Sequence, residues 1–126
     1  MKQLSVSDVM TLHRLLIRET GGTPGLRDQG LLESAVNSPY QTFGGIDIYP
    51  SLPRKAAQLG FGLIQDHPFL DGNKRIGILA MLTLLEWNGI LTEFSNQELV
   101  AIGLDTAGGK LDAAALEQEI LSHACF

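Results

Sequence analysis

Apolar residues recur at helical spacing through most of the chain. Val9, Leu12 and Leu16 fall on one face of a segment that Ser5 or Ser7 opens in a Ser-x-x-Asp pattern and Gly21-Gly22 stops, which predicts a first helix. After the turn "TPGLRD", a second helix is expected from Asp28 to Ser38, ended by Pro39. A third takes Ser51 as N-cap, with Pro53 in its first turn, and carries Ala57, Phe61 and Ile64 toward the core. It should end around Asp66, because the residue before Pro68 is pushed out of the α region.

A fourth helix is predicted from Asn73 to Asn88, with Gly89 as its stop. Its apolar residues lie nearly all round, which marks a central helix packed on several sides. Ser95-x-x-Glu98 is a capping box for a fifth helix ending near Gly108-Gly109, and Asp112 caps a sixth running to His123. Two stretches break this rhythm. In "YQTFGGIDIYP" (residues 40–50), Gly44-Gly45 precedes alternating Ile46 and Ile48, which points to a short hairpin or flap. "ILTEF" reads as a short extended piece. The expected fold is all-α, a bundle of about six helices with one small β-like flap, in a single domain over residues 1–126.

Composition narrows the function classes. With 126 residues, 44% of them apolar, the chain can build one compact core. A net charge of −5 argues against a general nucleic-acid binder, although nine Lys and Arg leave room for a local phosphate site. The longest apolar stretch, Ile76 to Leu85, is far short of the ~20 residues of a membrane span, and the N-terminus shows no signal-peptide pattern. A soluble, cytoplasmic protein is expected. Its single cysteine, Cys125, fits a reducing compartment.

Between the two most apolar segments lies "HPFLDGNKR", residues 67–75. Gly72 and Asn73 stand where the first N–H groups of the fourth helix lack intrahelical acceptors, a natural anion cradle. Lys74 and Arg75 add full charges there, and Arg75 can grip a phosphate in bidentate fashion. Gly72 lets a ligand approach the backbone. Asp71 beside bound phosphates would repel them unless a divalent cation lay between, so Asp71 with a nucleotide is a candidate Mg²⁺ site. His67 supplies a general base, the usual role of an imidazole near neutral pH. Phe69 would point inward and fix the loop. Anion stabilisation, metal and base are the components of phosphoryl or nucleotidyl transfer.

Each residue alone has a plainer reading. Asp71 or Asn73 would serve as an N-cap, and a lone His at a helix end is more often structural. Two cations in a first turn oppose the helix dipole by about 0.3–1 kcal/mol each, a placement that makes sense if an anion binds. A zinc site is disfavoured, since Pro68 and Gly72 break the helix that would align His67 with Asp71. The glycine-rich run of a Walker loop is absent.

The nine residues resemble the signature loop of the Fic/Doc family, His-x-Phe-x-Asp/Glu-Gly-Asn-Gly/Lys-Arg, and Lys74 groups the chain with the death-on-curing (Doc) branch. "GGTPGLRDQGLLESA" and "LLEWNG" are also Doc-like. The resemblance implies the all-α Fic core, with His67 as the base that deprotonates a target hydroxyl and Phe69 as the loop anchor. It further implies Asp71 as the Mg²⁺ ligand and Gly72, Asn73, Lys74 and Arg75 as the nucleotide-phosphate cradle. Residues 43–49 (Phe43, Gly44, Gly45, Ile46, Asp47, Ile48 and Tyr49) correspond to the flap that aligns a target segment by strand-like pairing.

Two departures from the Fic adenylyltransferase pattern matter. Lys74 stands where those enzymes have glycine, and Ile78 where they have a second arginine. The Doc branch, by resemblance, binds ATP in reverse and transfers its γ-phosphate, so the implied activity is a Mg-ATP-dependent protein kinase acting on elongation factor Tu and stopping translation. Adenylyl transfer by the same loop, or a catalytically silent partner-binding module, are the alternatives. No glutamate has Ser or Thr four residues before it, so the family's inhibitory-helix motif is absent. Restraint is expected instead from a Phd-like antitoxin whose disordered tail folds on the toxin.

Overall fold

The computed structural model of the chain describes residues 1–125. Six helices make up the fold: α1 (Val6–Thr20), α2 (Gln29–Asn37), α3 (Leu52–Asp66), α4 (Asn73–Trp87), α5 (Asn96–Ala107) and α6 (Ala113–His123). Their starts follow from the capping residues. Ser5 accepts from the Asp8 amide while the Asp8 carboxylate accepts from the Ser5 amide, and Ser95 and Glu98 repeat this reciprocal pair at α5. Asp28, Ser51 and Asp112 each cap one further helix.

The helical core is built on α3 and α4. Leu59 and Leu63 of α3 meet Ile76, Ala80 and Leu84 of α4, joined by Val9, Leu32, Leu116 and Ile120 from α1, α2 and α6. Each of the Val, Leu and Ile side chains among them contributes about 1.5–3 kcal/mol when fully buried. The two central helices touch backbone to backbone. A Cβ on Gly77 would lie 2.5 Å from Ile64 Cγ1 and 2.9 Å from the Gly60 carbonyl oxygen. No larger residue fits at that crossing without spreading the helices that carry the two ends of the 67–75 loop.

Two small antiparallel strand pairs complete the fold. β1 (Thr42–Phe43) pairs with β2 (Ile46–Asp47), in the register Thr42 with Asp47 and Phe43 with Ile46. Gly44 and Gly45 form the two-residue turn with φ of 59° and 79°, the left-handed conformation that such hairpins need. The expected hairpin is therefore present, with Phe43 and Ile46 exposed. β3 (Leu91–Thr92), the extended piece within "ILTEF", pairs with β4 (Ala124–Cys125) directly after α6. A two-residue strand has no periodicity to read, so β4 was not expected.

Two further details depart from expectation. Pro39 does not stop the chain's winding; α2 gives way at Asn37 to a 3-10 turn, Ser38–Tyr40, which tolerates Pro39 near its start. The apolar circumference of α4 is also not fully covered. Ile78, Leu79 and Leu82 line an open cavity of about 540 Å³ whose other walls include Leu16 of α1 and Leu99, Val100 and Leu104 of α5. Among the described residues, no helix is long and apolar enough to cross a membrane.

Candidate active site

His67 terminates α3 in the left-handed conformation, φ 49° and ψ 56°, and is the one non-glycine residue with positive φ among those described. Such a conformation costs about 1–2 kcal/mol for a side-chain-bearing residue and persists only where its surroundings impose it. The constraint is visible. Pro68 follows and is itself buried, and Arg27 donates from Nε to the His67 carbonyl at 2.6 Å and from Nη2 to the Asp66 carbonyl at 2.8 Å. The guanidinium thus satisfies carbonyls that the end of α3 leaves open. The His67 side chain is exposed and makes no hydrogen bond among the described residues.

The loop is sewn to the 23–28 segment. The Arg27 and Asp28 amides donate to the Pro68 carbonyl at 2.7 and 3.0 Å, and the Leu70 amide donates to the Gly25 carbonyl at 3.1 Å. Leu26 and Phe69 form an isolated antiparallel bridge. Phe69 points inward, 3% exposed, as expected. Its ring stacks on His13 at 3.8 Å between centroids and 8° between planes. His13 Nε2 lies 2.8 Å from the Asp71 carbonyl oxygen, an acceptor, so that nitrogen carries the proton.

Asn73 is buried and does not cap α4. Its side-chain oxygen accepts from the Phe69 amide and its NH₂ donates to the Phe69 carbonyl, both at 3.0 Å. The cap position belongs to Gly72, which has no side chain to offer, so the first amides of α4 carry no side-chain cap. There is no acid in that first turn. Lys74 is exposed there, without an ion-pair partner among the described residues. The start of α4 thus presents backbone amides and the Lys74 cation, and the Asn73 side chain holds the loop instead.

Arg75 turns toward the end of α1. Its Nη1 donates to the Thr20 hydroxyl and, at 2.9 Å, to the Gly21 carbonyl, and Nη2 stands 3.6 Å from Asp71 Oδ1. Asp71 accepts from the Thr23 amide at 3.0 Å and from the Gly72 amide at 2.8 Å. These two hydrogen bonds, with help from Arg75 and His13, hold its carboxyl below the usual carboxylate range. A carboxylate offers about four lone-pair positions, so an ionised, half-exposed Asp71 retains capacity for one cation contact. No cluster of three acidic, His or Cys residues exists among the described residues, so a cation held at Asp71 would need other oxygens, such as those of phosphates.

Gly22 makes this arrangement fit. With φ 114°, it passes so close to Asp71 that a Cβ would sit 2.6 Å from Oδ2. From sequence alone Gly22 reads as a helix stop, Arg27 as a turn residue and His13 as unrelated to the loop. A buried His on an otherwise apolar helix face was the available signal for His13. The contacts of Gly22 and Arg27 join segments 39 or more residues apart and leave no local pattern.

The structure brings His67, Phe69, Asp71, Gly72, Asn73, Lys74 and Arg75 together on one loop and helix start. The 540 Å³ cavity opens on Lys74 and Arg75, and His67 is not among its walls. The flap residues lie on the separate hairpin before α3.

A family profile described as Fic/DOC family matches residues 3–85. The chain is 41% identical over 87 residues to Toxin Doc of Mycolicibacterium smegmatis, a match covering 69% of this chain and 65% of that protein. It spans, therefore, just under two thirds of that relative's length. It is 26% identical over 116 residues to Protein kinase doc of Escherichia phage P1, covering 92% of this chain and 90% of that protein. With the profile matched over most of its length, the chain belongs to the Fic/DOC family.

Proposed function

We propose that the chain is a toxin-type protein kinase that transfers the γ-phosphate of ATP to a Ser or Thr hydroxyl of a translation factor, elongation factor Tu being the first candidate. The observation that carries this reading is the uncapped start of α4, where open amides, Lys74 and Arg75 gather positive charge with no acid in the turn. The names of the relatives, a toxin and a protein kinase, support it.

In this reading, the exposed imidazole of His67 takes the proton of the acceptor hydroxyl, whose oxygen forms a bond to the γ-phosphorus. The bond between that phosphorus and the β–γ bridging oxygen breaks, and ADP leaves. The amides of Asn73 and Lys74, with the Lys74 ammonium, face the phosphate charge, while the Gly72 amide stays on Asp71 and Gly72 leaves the approach open. Arg75 keeps Nε and part of Nη2 for a phosphate while Nη1 holds α1. Asp71 would hold Mg²⁺, which when bound neutralises charge between phosphate oxygens. Lys74 occupies the place where adenylyltransferases of the family have glycine, which favours phosphoryl over adenylyl transfer.

Restraint by an antitoxin is part of the same proposal. The uncovered apolar walls contributed by Leu16, Ile78, Leu82, Val100 and Leu104 suit the apolar face of a partner helix that folds on binding. The kinase reading is tested by incubating purified elongation factor Tu with the chain, ATP and Mg²⁺ and measuring its intact mass. A gain of one phosphoryl group is expected. A gain of one AMP would replace the kinase with an adenylyltransferase, and an unmodified target would leave the module silent toward this substrate.

A further inference from the structure

Outside the loop, the one buried Lys, Arg, Asp or Glu among the described residues is Lys55, 5% exposed on α3. Lysine is almost never buried unless paired. Its Nζ donates to Asp47 Oδ2 at 3.1 Å, to the Tyr49 carbonyl and, more weakly, to the Pro39 carbonyl at 3.5 Å. An ammonium has three N–H donors, and three acceptors meet it. The Tyr40 ring lies 5.8 Å away, and the neighbouring Arg54 sits 4.9 Å over the Tyr49 ring. All four residues that Lys55 faces flank or form the hairpin.

That hairpin has little else to hold it. Each strand is two residues long, every residue from 41 to 48 is exposed, and Phe43 and Ile46 are 83% and 74% exposed. A lone two-stranded ribbon is marginal in water. Burying an ammonium is also a poor way to gain stability, since an apolar side chain of similar length generally does as well. What the cation adds is direction. It ties three separate points of the 39–49 segment to one atom on α3, the helix whose end presents His67 about 18 Å further along at about 1.5 Å per residue.

We propose that Lys55 is a positioning residue that fixes the flap hairpin in register with His67, so that a protein segment paired along the flap presents its hydroxyl to the base. This deepens the proposed function and rests on it. The hairpin and the base then form one rigid unit through α3, and target alignment depends on a side chain that touches neither substrate.

The test compares the full chain with its Lys55→Met variant, which keeps length and apolar bulk and removes the charge, and with Asp47→Asn. Hydrogen exchange of amides 41–49 should quicken by about tenfold or more in Lys55→Met, with the α3 and α4 amides unchanged. In phosphoryl transfer, KM for the protein target should rise by about tenfold while kcat and KM for ATP stay within about twofold. Asp47→Asn, at an exposed residue, should show the same pattern more weakly and decides the matter if Lys55→Met fails to fold. Unchanged hairpin exchange, or a target KM that does not move when exchange quickens, would overturn the proposal. A wild-type chain that modifies no protein would instead sink the kinase reading itself, and the alignment role with it.

Discussion

The side-chain amide of Asn73 closes on the backbone of Phe69 at both ends, accepting from its N–H and donating to its C=O at 3.0 Å. One residue at the first turn of α4 thus sets the curvature of the whole 67–72 loop. Phe69 completes the lock by stacking on His13, whose ring reaches the Asp71 carbonyl. The residues proposed for chemistry, His67 and Asp71, stand on either side of this locked centre. The middle of the loop is buried in the core.

Asn73→Ala would leave the buried Phe69 amide and carbonyl unpaired. Stranding such groups costs about 1–3 kcal/mol. Urea denaturation should show a loss of stability in that range, together with weaker nucleotide binding. An unchanged midpoint would mean that the clamp contributes nothing.

His67→Ala should behave differently. The side chain is exposed and unbonded, so the fold should survive, with circular dichroism and melting close to those of the parent. Turnover should fall by about 10²–10⁴-fold, the usual loss when a general base is removed. A variant that melts early, or one that keeps its activity, would contradict the assignment.

Gly22→Ala would drive a methyl group against the Asp71 carboxylate, in a backbone conformation that alanine avoids. The carboxylate must move or the 20–25 segment must shift. Mg²⁺-dependent nucleotide binding measured by calorimetry should weaken far more than the melting temperature falls. Equal binding in both proteins would show that Asp71 need not stand where it does.

A histidine clasp at the end of α6 should depend on pH. His123 stacks on Phe94 and lies between two acceptors, the Glu119 carbonyl at 2.8 Å from Nδ1 and the Glu98 carboxylate at 2.5 Å from Nε2. The Glu119 carbonyl first, and Glu98 second, push the imidazole above its ordinary 6.5. The Ser95 amide and His123 hold Glu98 below its ordinary 4.5. The raised group contributes fully below pH 6.5 and is lost as pH rises through its folded value; the depressed one contributes above 4.5 and is lost as pH falls through its own. The clasp between α5 and the end of α6, next to the β3–β4 pair, should be tightest between those limits. Protection of amides 91–93 and 124–125, taken relative to the intrinsic base-catalysed exchange at each pH, should fall above the raised His123 value and lose that step in His123→Gln. An imidazole that titrates at or below 6.5 by NMR would refute this.

Much of the fold was legible because helices announce themselves locally. Ser51, Ser95 and Asp112 each stand at the cap that the sequence assigns them, Ser5 is one of its two candidates, and Asp28, read as the first residue of the second helix, is its cap. Pro68 places the end of α3 at Asp66, and Gly44-Gly45 marks the hairpin turn. What escaped was non-local. Arg27 on the carbonyls of Asp66 and His67, His13 on Phe69, and Gly22 under Asp71 all join segments far apart in the chain. Lys55 escaped for another reason, since a lysine in an amphipathic helix normally marks the solvated face. Asn73 was placed among the phosphate ligands by its position in the loop, whereas its side chain is committed to Phe69.

The most direct measurement of the central claim follows the label. Purified elongation factor Tu is incubated with the chain and with ATP labelled at either the γ- or the α-phosphate, in parallel with the His67→Ala variant. Label should enter the factor from the γ-position alone, with ADP released, and should nearly vanish with His67→Ala. Label arriving only from the α-position, or γ-label transferred equally well without the imidazole, would contradict the account.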